Sequence, residues 1–233
     1  MKITKHQEST SKSTRINLRV RKPLYGLGIH DVTEVGYYKS YIYDKWKNMM
    51  SRCYSPGMHK SEKHRRLYAG CTVDPRWHRL SNFKEWMESH PDYETLTLDK
   101  DLISPGNKVY GPDTCCMITS RMNTLLVHGK CKSSKTNDLP NGVSYSCKRV
   151  IHPYEAYASI PPSISHRKNY KIHIGNYPTV KEAYRAHLEY KRDLLLECQD
   201  DVPNVTVKEH FLRHIDENYT KVLNDPHFGY GLD

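Results

Sequence analysis

The stretch Thr95-Leu96-Thr97-Leu98-Asp99-Lys100-Asp101-Leu102 alternates polar and apolar side chains, the period of a half-buried β-strand. It runs into Ser104-Pro105-Gly106-Asn107, a dense turn signal, and then a short run ending at Val109-Tyr110. Gly111-Pro112-Asp113 opens the next segment, Thr114 to Leu126, which suits a further strand and a helix. Two short strands joined by a loop and followed by a helix form a compact ββα unit. The expected fold class is therefore α+β.

Upstream, Ile42, Trp46, Met49, Met50 and Cys53 recur at helical spacing, and Leu80, Phe83, Trp86 and Met87 do the same. These aromatics and methionines read as core. Between them, 55–66 reads as a polar loop, followed by a short strand at Cys71–Val73 and then Trp77. Downstream, residues 130–140 have no periodicity and read as a linker. Three strands follow, at Gly142–Arg149, Tyr154–Ile160 and Asn169–Tyr177. A Thr179-x-x-Glu182 capping box then starts a helix that runs to about Cys198. A last helix, roughly Thr206–Leu223, carries Phe211, Leu212, Ile215, Tyr219 and Val222 in step; it clasps the preceding module or joins two copies as a homodimer.

Composition narrows the partner. The chain has 233 residues, with 36 Lys and Arg against 26 Asp and Glu, a net charge of +10 and a pI near 9.1. That balance favours a polyanion, because cations gain affinity by displacing counterions from phosphates. Eighteen tyrosines against three phenylalanines suit wet, polar interfaces. With a mean hydropathy of −0.79 and no run near the ~20 apolar residues of a spanning helix, no membrane partner is expected. The opening stretch Met1–Lys22, within an arm reaching to about residue 30, is basic and expected to be disordered. Seven scattered cysteines without a CxxC point to a reduced, cytoplasmic setting.

Two sets of motifs carry a resemblance. The first is Tyr43-x-x-Trp46-x-x-Met49-x-x-Arg52-Cys53-Tyr54, Tyr68-x-Gly70, Trp77 and Phe83-x-x-Trp86. It continues through Leu98-Asp99-Lys100-Asp101, Gly106-Asn107-Lys108-x-Tyr110-x-Pro112-x-Thr114-Cys115 and Asn123. The second is Asn141-Gly142-Val143-Ser144-Tyr145 with Ile174-Gly175-x-Tyr177-x-Thr179-x-x-Glu182-Ala183 and Ala186. Together they resemble phage homing endonucleases of the HNH class that carry a C-terminal AP2-like DNA-binding domain. The resemblance implies an HNH-like domain over 31–129, a linker over 130–140, an AP2-like domain over 141–198 and an added helix over 199–233.

By that resemblance Asp99 matches the metal-ligand Asp, and Asn107 and Asn123 match the amide positions; these three are the candidate catalytic residues. Lys100 stands where the family's histidine base would be, and an ammonium has no lone pair with which to take a proton from water. Asp101, His90 and His128 are the remaining candidates for a base. Without one, no cofactor is required; Mg²⁺ enters only if the site cuts.

In an AP2-like domain the three-stranded sheet lies in the major groove, with the helix on its other face. If Val143, Ala156, Ala158, Ile172 and Ile174 face the helix, strand alternation turns Ser144, Ser146, Lys148, Glu155, Tyr157, Ser159, Lys171 and His173 outward. Arg149, Arg167 and Lys168 sit in the connecting turns, placed for phosphates. The expected function is sequence-specific binding of double-stranded DNA by a protein of homing-endonuclease descent, acting as a transcriptional repressor in a bacterial host cell. The alternatives are an active site-specific HNH endonuclease of a phage or mobile element, and a general nucleic-acid-binding module.

Overall fold

Helix α1 (Tyr41–Tyr54) forms where the apolar spacing predicts it, and Ile42, Trp46, Met49, Met50 and Cys53 are all buried. Its first turn is capped by the Ser40 hydroxyl, which accepts from the Tyr43 N–H (3.1 Å). The computed structural model describes residues 22–34, 36–126, 139–160 and 170–232. The arm to Arg21, most of the linker, His128, Arg167 and Lys168 lie outside the described residues. Within them the chain is a mixed α+β protein with small sheets.

Around α1 pack a 3₁₀ turn holding Trp77 and helix α3 (Leu80–Glu88), reached through α2 (Glu62–Tyr68) and strand β1 (Thr72–Val73). Trp46 Nε1 donates to the Trp77 carbonyl (2.7 Å), so this indole is satisfied as core. The expectation of a loop over 55–66 is corrected: Glu62–Tyr68 is helical. That helix fully buries no side chain and so carries no apolar stripe to read. Glu62 in its first turn and Arg65 and Arg66 in its last complement the helix dipole instead.

The central strands are β2 (Leu96–Asp99), β3 (Val109–Tyr110) and β4 (Cys116–Thr119), followed by α4 (Ser120–Leu126). β2 and β4 pair antiparallel, Leu96 with Thr119 and Asp99 with Cys116. The intervening β3 joins neither; it pairs in parallel with β1, Thr72 with Val109. The loop between β2 and β4 is thereby tied back to the first helical layer.

The second sheet runs β5 (Val143–Tyr145), β6 (Tyr154–Ile160), β7 (Tyr170–Tyr177), all antiparallel. β5 ends at Tyr145, short of the expected Arg149, because residues after it turn rather than pair. Helix α5 (Val180–Leu196) covers one face and starts as predicted, the Thr179 hydroxyl accepting from the Glu182 N–H (3.2 Å). Gly142 sits at φ +80°, and a Cβ there would lie 2.0 Å from the buried His187 ring, so only glycine fits.

The last predicted helix forms as one continuous helical run, α6 (Val205–Ile215), a π-helical turn (Asp216–Thr220) and α7 (Lys221–Asn224). Phe211, Ile215, Tyr219 and Leu223 enter one apolar cluster with Leu188, Leu194 and Leu195 of α5 and Met122 and Leu125 of α4. Of the two roles open to this helix, its apolar face serves the first, clasping the chain. No helix among the described residues is long and apolar enough to cross a membrane.

Candidate nucleic-acid interface

Alternation along β6 splits its side chains: Ala156 and Ala158 are buried against α5, while Glu155, Tyr157 and Ser159 face the other way. A bulge sits opposite the Ala156–Tyr157 step, so His173 pairs with Tyr157 and Asn176 pairs with Glu155. Lys171 pairs with Ser159, and Ser144 with Glu155. The open face therefore carries Ser144, Glu155, Asn176, Tyr157, His173, Ser159 and Lys171. Asn176 was not among the sequence candidates; strict alternation hides it, and Gly175 beside the bulge is the signal that reveals it.

These groups are linked. The Tyr157 hydroxyl donates to Glu155 Oε2 (2.6 Å), and Arg149 Nε pairs with Glu155 Oε1 (3.2 Å). Ser144 Oγ lies 3.5 Å from the same carboxylate. The Lys171 ammonium stands 3.6 Å above the Tyr157 ring, and the His173 ring meets that ring edge-on. The Tyr157 bond, with Arg149 beside it, holds the Glu155 carboxyl below its ordinary range, and the same bond raises the Tyr157 phenol. Glu155 is thus an oriented acceptor flanked by cations. Ser146, whose N–H donates to the Pro153 carbonyl (2.8 Å), closes the β5–β6 turn, and Lys148 and Arg149 are exposed on it.

On the reverse side, His187 Nδ1 donates to the Tyr157 carbonyl (2.5 Å). Burial holds this imidazole below its usual value and so neutral, fixing the strand to α5.

The Asp99 cluster has a different character. Asp99 Oδ1 accepts the backbone N–H groups of Asp101 (2.9 Å) and Leu102 (2.7 Å), capping the end of β2. Burial raises its carboxyl above the ordinary range despite both bonds. Lys100 is only 8% exposed; its ammonium pairs with Asp101 Oδ1 (2.5 Å) and donates to the Asn107 carbonyl (2.9 Å). Asn107 Nδ2 donates to the Lys100 (3.2 Å) and Val109 (2.6 Å) carbonyls, and its Oδ1 accepts the Val109 N–H (2.9 Å). Lys100 and Asn107 together lock the β2–β3 loop.

A cavity of about 580 Å³ opens beside this cluster, and Asp99, Asn123, Arg52, His214 and Asn218 are among the residues that line it. His214 comes from the C-terminal helix, and burial lowers its pKa. It was absent from the sequence candidates because nothing local links position 214 to position 99. His90 is elsewhere, its ring on Trp86 and its Nδ1 on the Trp86 carbonyl (2.8 Å). A divalent ion does not fit the Asp99 donor set as it stands. One Asp99 oxygen holds two N–H groups, Asn107 has both ends occupied, and an ammonium is fixed at the adjacent residue. No group of three His, Cys, Asp or Glu side chains among the described residues is arranged to hold a metal. The thiols Cys53 and Cys115 are pushed up to about 12 by burial and are not poised as nucleophiles.

No protein-family model, curated protein or solved structure matches this chain.

Proposed function

We propose that the chain is a sequence-specific double-stranded DNA-binding protein of homing-endonuclease descent, acting as a transcriptional repressor for a phage or other mobile element in its bacterial host. On this reading 31–129 derives from an HNH-type nuclease domain and 141–198 from an AP2-like module. The observation that carries it is the open face of β5–β7. A single sheet surface there combines Lys171 and Arg149 for phosphates with Glu155, Tyr157, Asn176 and His173 for base edges. Glu155 held between Arg149 and Tyr157 is placed to accept from a cytosine amine.

The Asp99 cluster supports binding without cutting. Lys100 acts as a structural lysine, and Asp99 and Asn107 beside it act as caps, which supports a β2–β3 loop that serves structure. Repression then follows from occupancy, since a protein covering a promoter blocks polymerase without chemistry.

The test is to select bound duplexes from a random pool and footprint the intact protein on them in Mg²⁺ and in Mn²⁺. Protection without cleavage, retained in Asp99→Ala, is the expected result. Discrete Mg²⁺-dependent fragments abolished by Asp99→Ala or Asn123→Ala would make the chain a site-specific nuclease instead.

A further inference from the structure

The turn between β5 and β6 exposes two adjacent aliphatic residues at its tip. Val150 is 93% exposed and Ile151 77%. Single exposed apolar residues are ordinary, but a neighbouring pair left this bare at a projecting tip is a standing cost in water. The residues around them are Lys148, Arg149 and His152, and Ser146 to Pro153 contains no acid.

The tip is also held in place. The Ser146 N–H donates to the Pro153 carbonyl (2.8 Å) and the Arg149 N–H to the Ser146 carbonyl (3.2 Å). The Arg149–Glu155 ion pair braces the turn against the open face of the sheet. That face extends from the tip along six residue steps of β6, Tyr154 to Ile160, or ~20 Å at about 3.3 Å per residue. An apolar point ringed by cations thus stands at one end of a polar, aromatic and basic strip.

We propose that Val150 and Ile151 form a wedge that enters a DNA base step and bends the duplex while the sheet face reads the adjoining groove. This rests on the reading of the sheet as the DNA-binding face. The chemistry is complementary: aliphatic side chains replace part of the stacking lost at an opened step, and Lys148 and Arg149 neutralise the phosphates flanking it. Pyrimidine–purine steps open at least cost, so bound sites carry TA or CA/TG at a fixed distance from the bases read by the sheet. An anionic lipid surface would also attract a basic, apolar tip. The braced position beside a long polar face favours a duplex, which can occupy both at once.

The experiment uses the full chain and a 30-base-pair duplex selected from a random pool at low salt, with a fluorescent donor and acceptor at its ends. Binding should raise energy transfer by the amount expected for a bend of about 20–90°. V150S/I151S should bind at least about tenfold more weakly and lose most of the bend. Both positions are exposed, so this variant should fold normally, and V150L/I151L should restore the effect. V150S/I151S that binds and bends like the unaltered chain overturns the wedge and leaves the DNA reading standing. Failure of the intact chain to retain any duplex overturns both. Capture on phosphatidylserine–phosphatidylcholine vesicles that depends on Val150 and Ile151, with DNA bending unaffected by the variant, reassigns the tip to lipid.

Discussion

Replacing Lys100 by methionine separates a structural lysine from a functional one. The substitution keeps much of the aliphatic stem in place while removing the ammonium. Two interactions go with it. The pair with Asp101 leaves behind a carboxylate whose side chain is 57% exposed and which returns to water, so its loss costs about 0–1 kcal/mol. The bond to the Asn107 carbonyl is charge-assisted and shielded, and its loss costs about 1.5–3 kcal/mol. Relief of the lysine's own desolvation offsets part of this, so Lys100→Met should lower stability by about 1–3 kcal/mol. Urea unfolding followed by tryptophan fluorescence reads it directly, since Trp46, Trp77 and Trp86 lie in or against the same apolar cluster. DNA affinity should change less than about twofold, because the ammonium is enclosed and not on the sheet. Unchanged stability would refute the clamp. A tenfold loss of DNA affinity at unchanged stability would mean that Lys100 reaches a phosphate.

Three further outcomes follow from other parts of the molecule. Gly142→Ala combines a positive φ with a Cβ driven into the His187 ring, and should cost about 2–4 kcal/mol, seen as a lowered Tm. His187, with His214 in the same direction, has a folded pKa below its unfolded value. The unfolded chain therefore binds more protons, and the stability present above about pH 6.5 is lost as pH falls through and below that value. The urea midpoint should drop between pH 7.5 and 5.5, less so in His187→Gln; a flat profile would contradict the assignment. Lys171→Ala should cost about 1–3 kcal/mol on a selected site and less on random duplex if it reads a base, whereas equal losses would make it a phosphate contact.

Much of this architecture is legible in the sequence where burial imposes a period. The five buried residues of α1 and the strand Tyr154–Ile160 are read from spacing alone, and the start of α5 from its cap. The α2 helix escapes because none of its side chains is fully buried and only Tyr68 packs, in part, against the core. The pairing of β3 with β1 escapes because two-residue strands brought together from positions 72 and 109 leave no local pattern. On the sheet face, Ser144, Glu155, Tyr157, Ser159, Lys171 and His173 sit where alternation puts them, and the bulge adds Asn176; Ser146 and Lys148 lie instead in the turn, because β5 ends at Tyr145. At the Asp99 cluster the departure at Lys100 is visible in the sequence. Its enclosure by Asp101 and the Asn107 carbonyl is not, since that depends on how the loop closes. The approach of His214 depends on the C-terminal helix folding back across α4 and α5.

The most direct test of the account is the salt dependence of binding by the intact chain to a selected duplex, measured at equilibrium from about 50 to 200 mM salt. Lys148, Arg149 and Lys171 on or beside the open face would neutralise three phosphates. The logarithm of affinity should then fall against the logarithm of salt with a slope of about −2.7 or steeper, at ~0.9 per phosphate. The slope should shrink by about one when Lys148 or Lys171 is replaced by alanine, if that residue meets a phosphate. A flat dependence, or a steep one that none of the three residues alters, would contradict the assignment of this sheet as the DNA-binding surface.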